Sequence, residues 1–127
     1  MASLTLDTGA LIAADRGDAR FWTFWTASVD HVKRIPAPAV AQAWRGARNA
    51  RMARVIGSCF VVPLDDEMAH DVGELCGQAR TSDVVDATVA LVAHRFGDDV
   101  VTGDAGDLRV LLAALGSASL IRDLRSL

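Results

Sequence analysis

The sequence predicts an α/β fold in which a small, mainly parallel sheet is flanked by helices on both faces. Short apolar segments typical of buried strands alternate with longer segments in which apolar residues recur at helical spacing. Helices that separate short buried strands are characteristic of layered α/β proteins. The chain has 127 residues, 51% of them hydrophobic and 23% charged, so residues 1–127 are expected to form one globular domain.

The first half of the chain is expected to start with a short strand that ends at Asp7. Thr8 can cap the helix that follows, and Asp18 can cap a second helix that reaches about Val32. Pro38 suits the first turn of a third helix. The elements predicted in this half are a strand at 4–6, helices at 8–15, 18–32, 39–49 and 50–56, and a break at 35–38 with room for a very short strand.

The second half contains the clearest strand, Cys59–Leu64, which is continuous and rich in β-branched residues. Such a run is expected in a strand that is covered on both faces. Acidic residues open the next helix, and Gly97 ends the one after it. The elements predicted here are strands at 59–64, 100–102 and 120–121, the last at an edge, and helices at 65–78, 83–96 and 104–115.

Composition argues against a membrane or secreted protein. No apolar run approaches the roughly 18 residues needed to span a membrane, and Asp7 interrupts the N-terminal segment where a signal peptide would be apolar. We therefore expect a cytoplasmic protein without membrane association. Cys59 and Cys76 lie in apolar surroundings with no second pair, which indicates buried free thiols.

Charge is distributed unevenly along the chain. The net charge is −3, but residues 1–57 hold eight Lys/Arg against four Asp/Glu, and residues 58–127 hold five Arg against twelve Asp/Glu. A basic half and an acidic half suit a site that grips a polyanion on one side and holds cations on the other. Two solvated faces of opposite charge would give the same pattern.

Aspartates stand where strands are expected to pass into helices. Asp7 and Asp104 each follow a strand segment, and Asp107 lies three residues further on. Asp83 and Asp86 share one face of a helix start, where like charges disfavour the helix. The carboxyl ends of parallel strands converge in space, and converged carboxylates raise one another's pKa unless a cation is present. We therefore predict that these aspartates form a divalent metal site that hydrolyses phosphodiester bonds.

Polar neighbours accompany these acids. Thr8 and Thr102 can hydrogen-bond a carboxylate or a metal-bound water, although either can equally be a cap. Gln42 occupies a position where one more carboxylate would complete the set. His31, His70 and His94 are expected at the surface or at helix ends, so the predicted chemistry does not use histidine.

Three segments resemble the successive motifs of the PIN domain, and more narrowly those of the VapC toxins of VapBC toxin–antitoxin systems. They are Leu-Asp-Thr-Gly-Ala-Leu-Ile-Ala at 6–13, Asp-Ala-Thr-Val-Ala-Leu-Val-Ala at 86–93 and Val-Val-Thr-Gly-Asp-Ala-Gly-Asp-Leu at 100–108. The resemblance covers essentially the whole chain. It implies a Mg²⁺- or Mn²⁺-dependent ribonuclease that is usually a homodimer and is inhibited by a VapB-type antitoxin inserted into its active-site groove.

By these motifs, the resemblance implies that Asp7, Asp86 and Asp104 are the metal ligands and catalytic residues, with Asp83 and Asp107 in support. Bound metal would polarise the scissile phosphate and lower the pKa of an attacking water.

The chain departs from the family pattern at Gln42, where the family usually has Glu. Gln offers a carbonyl oxygen but no charge. Lower metal affinity and loss of one of two metal positions are therefore expected, and Asp83 is a candidate to supply the missing charge.

Arginines recur every third residue after the third helix, at Arg45, Arg48, Arg51 and Arg54. They would share a face if the helix were continuous, and Arg binds phosphate through paired hydrogen bonds, so they are the predicted RNA-binding residues. A solvated face or an antitoxin contact remains the alternative. Some members of an aromatic set are expected to be exposed at a dimer or antitoxin interface, or to stack on bases: Phe21, Trp22, Phe24, Trp25 and Trp44.

Three alternatives compete with the nuclease. A PIN-like module that lacks the Glu at Gln42 can bind RNA or antitoxin without cutting. Asp7-Thr8-Gly9 matches the tripeptide of aspartic proteases, but those are mostly β proteins, whereas helical periodicity dominates this chain. Metal-dependent phosphatases and phospho-accepting signalling domains also gather acids at strand ends. They need a lysine late in the chain, and Lys33 is the only lysine.

Overall fold

The computed structural model describes residues 2–127 and contains one sheet of five parallel strands. The strands are β1 (Ser3–Leu6), β2 (Val32–Pro36), β3 (Phe60–Val62), β4 (Asp99–Thr102) and β5 (Ile121–Asp123). The helices are α1 (Thr8–Asp15), α2 (Ala19–Ala27), α3 (Ala37–Ala43), α4 (Ala50–Gly57), α5 (Asp66–Ala79), α6 (Val84–Phe96) and α7 (Gly106–Ala114), and a 3₁₀ turn spans Leu124–Ser126. The predicted α/β class with a parallel sheet is confirmed.

Strand order places β1 at the centre of the sheet. The order is β3-β2-β1-β4-β5, so the chain builds outward on one side of β1 and then on the other. Three successive residues of β1, Leu4, Thr5 and Leu6, are all buried, and side chains alternate along a strand, so helices cover both faces. In open parallel sheets the crevice for ligands lies at the carboxyl ends of the strands where the winding reverses. Here that point is between β1 and β4.

The opposite, amino-terminal end of these strands is held by a buried carboxylate. Asp98 is fully buried and accepts hydrogen bonds from the hydroxyls of Ser3 and Thr5, the latter at 2.8 Å. Arg34 of β2 forms an ion pair with it at 2.6 Å and lies 4.1 Å from the centre of the Phe96 ring. Asp98 therefore ties β1 and β2 to the start of β4, away from the acids of the sequence motifs.

The strand at β3 differs from its prediction. Phe60 is 68% exposed and Val61 is 45% exposed, so the expectation of a strand covered on both faces is wrong. β3 is an edge strand and is shorter than predicted. A run of β-branched residues indicates strand formation but does not by itself distinguish a central strand from an edge.

β2 is longer than the very short strand predicted, and the preceding helix ends at Ala27 and not near Val32. The hydroxyl of Ser28 donates to the Phe24 carbonyl at 2.8 Å, and the chain turns there. The sequence did not predict the full strand because its charged residues are unusual in a sheet interior. In the fold, Lys33 is buried beneath the Trp25 ring and Arg34 is paired with Asp98.

The third helix ends at Ala43 and not at Asn49. The Asn49 side chain accepts a hydrogen bond from the Arg45 backbone N–H at 2.7 Å, and Gly46 has a φ of 130°, so the segment turns before α4 begins. The four arginines of the predicted stripe therefore do not share a continuous helix. Arg45 and Arg48 lie in the connection, and Arg51 and Arg54 lie on α4.

The aromatic set is less exposed than predicted. Phe21 is buried and stacks on Trp25, with 5.6 Å between ring centres, while Trp22, Phe24 and Trp25 are half-buried against the core. Trp44, at 37%, is the exposed member of the set.

Both cysteines are free and half-buried. Burial raises the pKa of the Cys59 thiol to about 12, which keeps it protonated and unreactive. No helix within residues 2–127 combines the length and apolar character needed to cross a membrane.

Candidate metal centre

Asp7 lies where β1 passes into α1, and it caps that helix. Its Oδ1 accepts a hydrogen bond from the Ala10 backbone N–H at 2.8 Å, so Asp7, and not Thr8, is the N-cap. Its Oδ2 accepts a hydrogen bond from the hydroxyl of Thr102 at the end of β4. The side chain is only 6% exposed. Burial raises the pKa of Asp7 from 3.8 to about 6, against the lowering effect of these hydrogen bonds.

The loop that follows β4 packs closely against the first turn of α1. A Cβ atom on Gly9 would lie 3.2 Å from the backbone nitrogen of Gly103, so a side chain there would push the loop away. Thr102, which is buried, also accepts a hydrogen bond from the Asp104 backbone N–H at 2.9 Å. The close approach at Gly9 and the two bonds of Thr102 fix the start of the Asp104 loop beside Asp7.

The first turn of α6 carries two of the predicted acids. Asp83 caps the helix, and its Oδ1 accepts the Asp86 backbone N–H at 3.0 Å. Asp86 is half-buried, and burial, followed by the negative charge of Asp83, raises its pKa to about 7. Asp7 and Asp107 add to this effect. Near neutral pH the Asp86 carboxyl therefore retains a proton in part of the molecules, and a bound cation would displace that proton.

Three carboxylates come closest together at the N-termini of α6 and α7. One oxygen from each of Asp83, Asp86 and Asp107 lies within 4.8 Å of the other two. Two oxygens on opposite sides of a Mg²⁺ ion, at about 2.1 Å each, are about 4.2 Å apart. The donor set is all carboxylate oxygen, which is the chemistry of a hard divalent cation. The residues present therefore fit such an ion.

A cavity of about 580 Å³ lies beside this group of carboxylates and is lined by two of them, Asp86 and Asp107. Its acidic lining residues are Asp7, Asp18, Asp86, Asp104 and Asp107. Four of these were predicted as site residues, and Thr8 also lines the cavity. The predicted ligand set of Asp7, Asp86 and Asp104 thus faces one space, while the tightest group is formed by Asp86 with the two residues predicted to support it.

Gln42 does not line this cavity, but its Oε1 accepts a hydrogen bond from the Thr8 hydroxyl at 2.7 Å. Its amide oxygen is therefore directed at Thr8, which itself lines the cavity. The predicted interpretation of Thr8 as a helix cap is wrong, because its hydroxyl is used by Gln42.

Three arginines that sequence reasoning missed also line the cavity: Arg16, Arg20 and Arg125. Arg125 lies 3.5 Å from Asp104 and 3.4 Å from Asp123. No spacing in the sequence relates the three, because Arg125 is a hundred residues from the other two and reaches the cavity only through the fold. The four arginines predicted to bind RNA, and the three histidines, are absent from the lining.

Comparison with known proteins identifies the fold. No family model matches the sequence, and no curated protein is significantly similar to it. Among solved structures, a chain of the DNA-bound VapBC from Salmonella typhimurium matches with a TM-score of 0.68 and 17% identity, over 98% of this chain and 99% of that one.

Two further structures give the same result. PAE2754 from Pyrobaculum aerophilum matches with a TM-score of 0.65 and 20% identity, over 98% of this chain and 85% of that one. A chain of FitAcB from Neisseria gonorrhoeae matches with a TM-score of 0.67 and 14% identity, over 98% and 99% of the two chains. The chain therefore has the PIN-like fold of these structures, as its three motifs predicted.

Proposed function

We propose that this protein is a metal-dependent endoribonuclease, the toxin of a toxin–antitoxin pair, which hydrolyses RNA phosphodiester bonds at the acidic cavity between β1 and β4. The observation that carries the proposal is the group of carboxyls with raised pKa values facing one cavity at the point where the sheet reverses its winding. Groups placed in this way are typical of functional sites in α/β proteins.

Asp7, Asp86 and Asp104 would hold a Mg²⁺ or Mn²⁺ ion, with Asp83 and Asp107 beside it. Such an ion, when bound, supplies a water of lowered pKa and neutralises charge on the phosphate. Asp7 is held rigidly by Ala10 and Thr102, so its carboxylate orientation is fixed before substrate arrives. Burial excludes bulk water from Asp7, which strengthens its interaction with any cation.

Asp86 links metal binding to pH. Its pKa of about 7 in the metal-free protein means that a proton must leave part of the molecules before the carboxylate can hold the ion. Its charge and that of Asp83 repel the substrate phosphate unless a cation is present. The residues of the chain therefore make RNA cleavage conditional on metal.

Cleavage of structured RNA by the purified protein tests the proposal. The assay compares Mg²⁺, Mn²⁺ and EDTA for the wild type, for Asp7→Asn and for Asp66→Asn, whose carboxylate is 95% exposed outside the cavity. We expect discrete, metal-dependent cuts from the wild type and Asp66→Asn, and none from Asp7→Asn. Cleavage by Asp7→Asn at the wild-type rate would show that the cavity is not the active site.

A second candidate function rests on Gln42. Its neutral amide cannot contribute charge to the metal, so a PIN-like module that binds RNA or antitoxin without cutting is the alternative. Metal-independent RNA binding by a folded wild-type protein that cuts nothing in Mg²⁺ or Mn²⁺ would favour this module.

Partners follow from the same proposal. The similar structures include a DNA-bound VapBC and FitAcB, and for this chain we propose a VapB-type antitoxin, a homodimer and a cytoplasmic RNA substrate. Co-expression with the product of an adjacent small reading frame, followed by size-exclusion chromatography, tests the antitoxin and the dimer. Loss of RNA cleavage in the co-purified complex is the expected result.

A further inference from the structure

The three arginines that line the cavity, Arg16, Arg20 and Arg125, are called the arginine arc here. Arg16 follows the last residue of α1, Arg20 lies in the first turn of α2, and Arg125 lies in the 3₁₀ turn after β5. Guanidinium groups from three separate segments therefore line one cavity. The acids line the same cavity from β1, α6 and α7.

We propose that the arginine arc binds backbone phosphates of the RNA strand on one side of the phosphate that is cut, and that it, and not the predicted stripe at Arg45, Arg48, Arg51 and Arg54, positions the substrate. This inference rests on the proposed function. It adds a substrate-binding site to the acidic centre and assigns residues to it.

Position along α1 separates the arc from the acidic centre. Asp7 caps the start of α1 and Arg16 follows its end, so the nine residue steps between them span roughly 13 Å along the helix. Ile12 and Ala13 line the cavity between the two. Phosphates along one strand of a nucleic-acid helix follow at about 3.4 Å of rise. On that scale the separation of roughly 13 Å corresponds to about four phosphate steps, so Arg16 is placed for a phosphate several nucleotides from the one at the acids.

Two guanidinium groups of the arc are free to bind an anion. Within residues 2–127, no carboxylate lies within ion-pairing distance of Arg16 or Arg20. Arg20 makes only a long hydrogen bond, 3.4 Å, from its Nη1 to the Arg125 carbonyl. Asp18 also lines the cavity, but its Oδ1 accepts the Arg20 backbone N–H at 2.8 Å as a helix cap.

Arg125 joins the arc to the acids. Asp123 accepts hydrogen bonds from the Arg125 backbone N–H at 2.9 Å and from its Nε at 3.4 Å, which restrains the side chain. The same guanidinium lies 3.5 Å from Asp104. Guanidinium groups bind phosphate oxygens in pairs of hydrogen bonds. A strand that enters past Arg16 and Arg20 would thus meet Arg125 immediately before the acidic centre.

The predicted stripe lacks this geometry. Arg45 donates to the carbonyls of Trp44 and Ala41, at 2.7 and 3.3 Å, and Arg51 donates to the Asp15 carbonyl at 3.1 Å. The fourth member, Arg54, lies 5.9 Å from the centre of the Trp22 ring. None of the four side chains of the stripe lines the cavity.

Binding of a fluorescent single-stranded RNA in EDTA tests the inference without requiring cleavage. The double variant Arg16→Ala/Arg20→Ala is compared with Arg48→Ala/Arg54→Ala, which removes the same charge from the stripe. Arg125 is left in place because its removal would also change Asp104. We expect at least tenfold weaker binding for the first double variant and less than threefold for the second. The first should also reduce the slope of log affinity against log salt by about 1.4, since each lost phosphate contact accounts for about 0.7.

Several results would overturn the inference. These are equal losses of RNA affinity in the two double variants, a larger loss of affinity in the stripe variant, or no RNA binding by the wild type. Wild-type binding of an oligoglutamate peptide in place of RNA would assign the arc to an acidic polypeptide. Arg16→Lys/Arg20→Lys keeps the charge, so recovery of part of the affinity separates binding from misfolding. A wild type that binds RNA through the arc but does not cut it in Mn²⁺ would refute the proposed function and leave the inference standing.

Discussion

The hydroxyl of Thr102, at the end of β4, donates a hydrogen bond to the carboxylate of Asp7, at the end of β1. The two residues are 95 positions apart in sequence and adjacent in the sheet. Because Thr102 also accepts the Asp104 backbone N–H, one buried hydroxyl sets the orientation of one acid and the start of the loop that carries another.

Replacement of Thr102 by Val removes this hydrogen bond at nearly constant volume. A hydrogen bond to the charged form lowers a pKa, so its loss should lift the pKa of Asp7 above its present value of about 6. We expect the acid limb of the pH–rate profile for RNA cleavage to move to higher pH and the free energy of unfolding to fall by about 1–3 kcal/mol. Thr8→Val, whose hydroxyl contacts Gln42, is the control and should leave the acid limb in place.

Stability of the metal-free protein should decrease as the pH rises through the range in which Asp7 titrates. The pKa of Asp7 is about 6 in the folded protein, against an ordinary value of 3.8, so between these pH values the folded state holds more protons than the unfolded state. The free energy of unfolding then falls with rising pH, by up to about 3 kcal/mol from this residue. Urea unfolding in EDTA should show that Asp7→Asn gains stability relative to wild type above about pH 7 and not below about pH 4. An equal difference in the free energy of unfolding between Asp7→Asn and wild type at both pH values would contradict the raised pKa of Asp7.

Substitution of Asp83 by Asn should lower the pKa of Asp86. After burial, the charge of Asp83 is the largest cause of the raised Asp86 pKa of about 7. Asn keeps an oxygen to accept the Asp86 backbone N–H, so the helix cap is preserved. Carboxyl-carbon NMR titration measures the Asp86 pKa directly. Asp66→Asn, far from the cluster, serves as the control, and an unchanged Asp86 pKa in Asp83→Asn would contradict the effect assigned to the Asp83 charge.

Gly9→Ala should be destabilising although alanine favours helices. The new Cβ would lie 3.2 Å from the Gly103 backbone nitrogen, so the Asp104 loop must move. Overpacking of this kind costs about 1–3 kcal/mol, and we expect RNA cleavage to fall as well. Gly73→Ala, in the middle of α5 with nothing within 4 Å of its new Cβ, is the matched variant. The free energy of unfolding of Gly73→Ala should rise by up to about 1 kcal/mol. Thermal unfolding checks whether the unfolding temperature falls in Gly9→Ala and rises in Gly73→Ala.

The sequence allowed the fold and the acidic half of the site to be predicted because both depend on local patterns. Asp7 and Asp104 follow strand segments directly, and the rule for parallel sheets then brings them together. Asp86 was recognisable because it shares one face of a predicted helix start with Asp83, where like charges disfavour the helix. The arginine arc was not predictable, because Arg16, Arg20 and Arg125 converge only after α1, α2 and the segment after β5 have packed.

Errors in the prediction have the same origin. The stripe at Arg45–Arg54 required a continuous helix, which the side chain of Asn49 and the turn at Gly46 interrupt. The exposure of Phe60 depends on β3 being the last strand on its side of the sheet, and strand order is not encoded in the local sequence.

Binding of Mn²⁺ to the purified protein, followed by electron paramagnetic resonance, tests most directly the claim that the acids of the cavity form one cation site. Wild type, Asp86→Asn and Asp66→Asn would be titrated with Mn²⁺ at about pH 8, where the raised pKa values leave the carboxylates charged. We predict saturable binding by the wild type and Asp66→Asn and at least tenfold weaker binding by Asp86→Asn. Equal affinity in all three proteins would contradict the account, because the ion would then bind elsewhere.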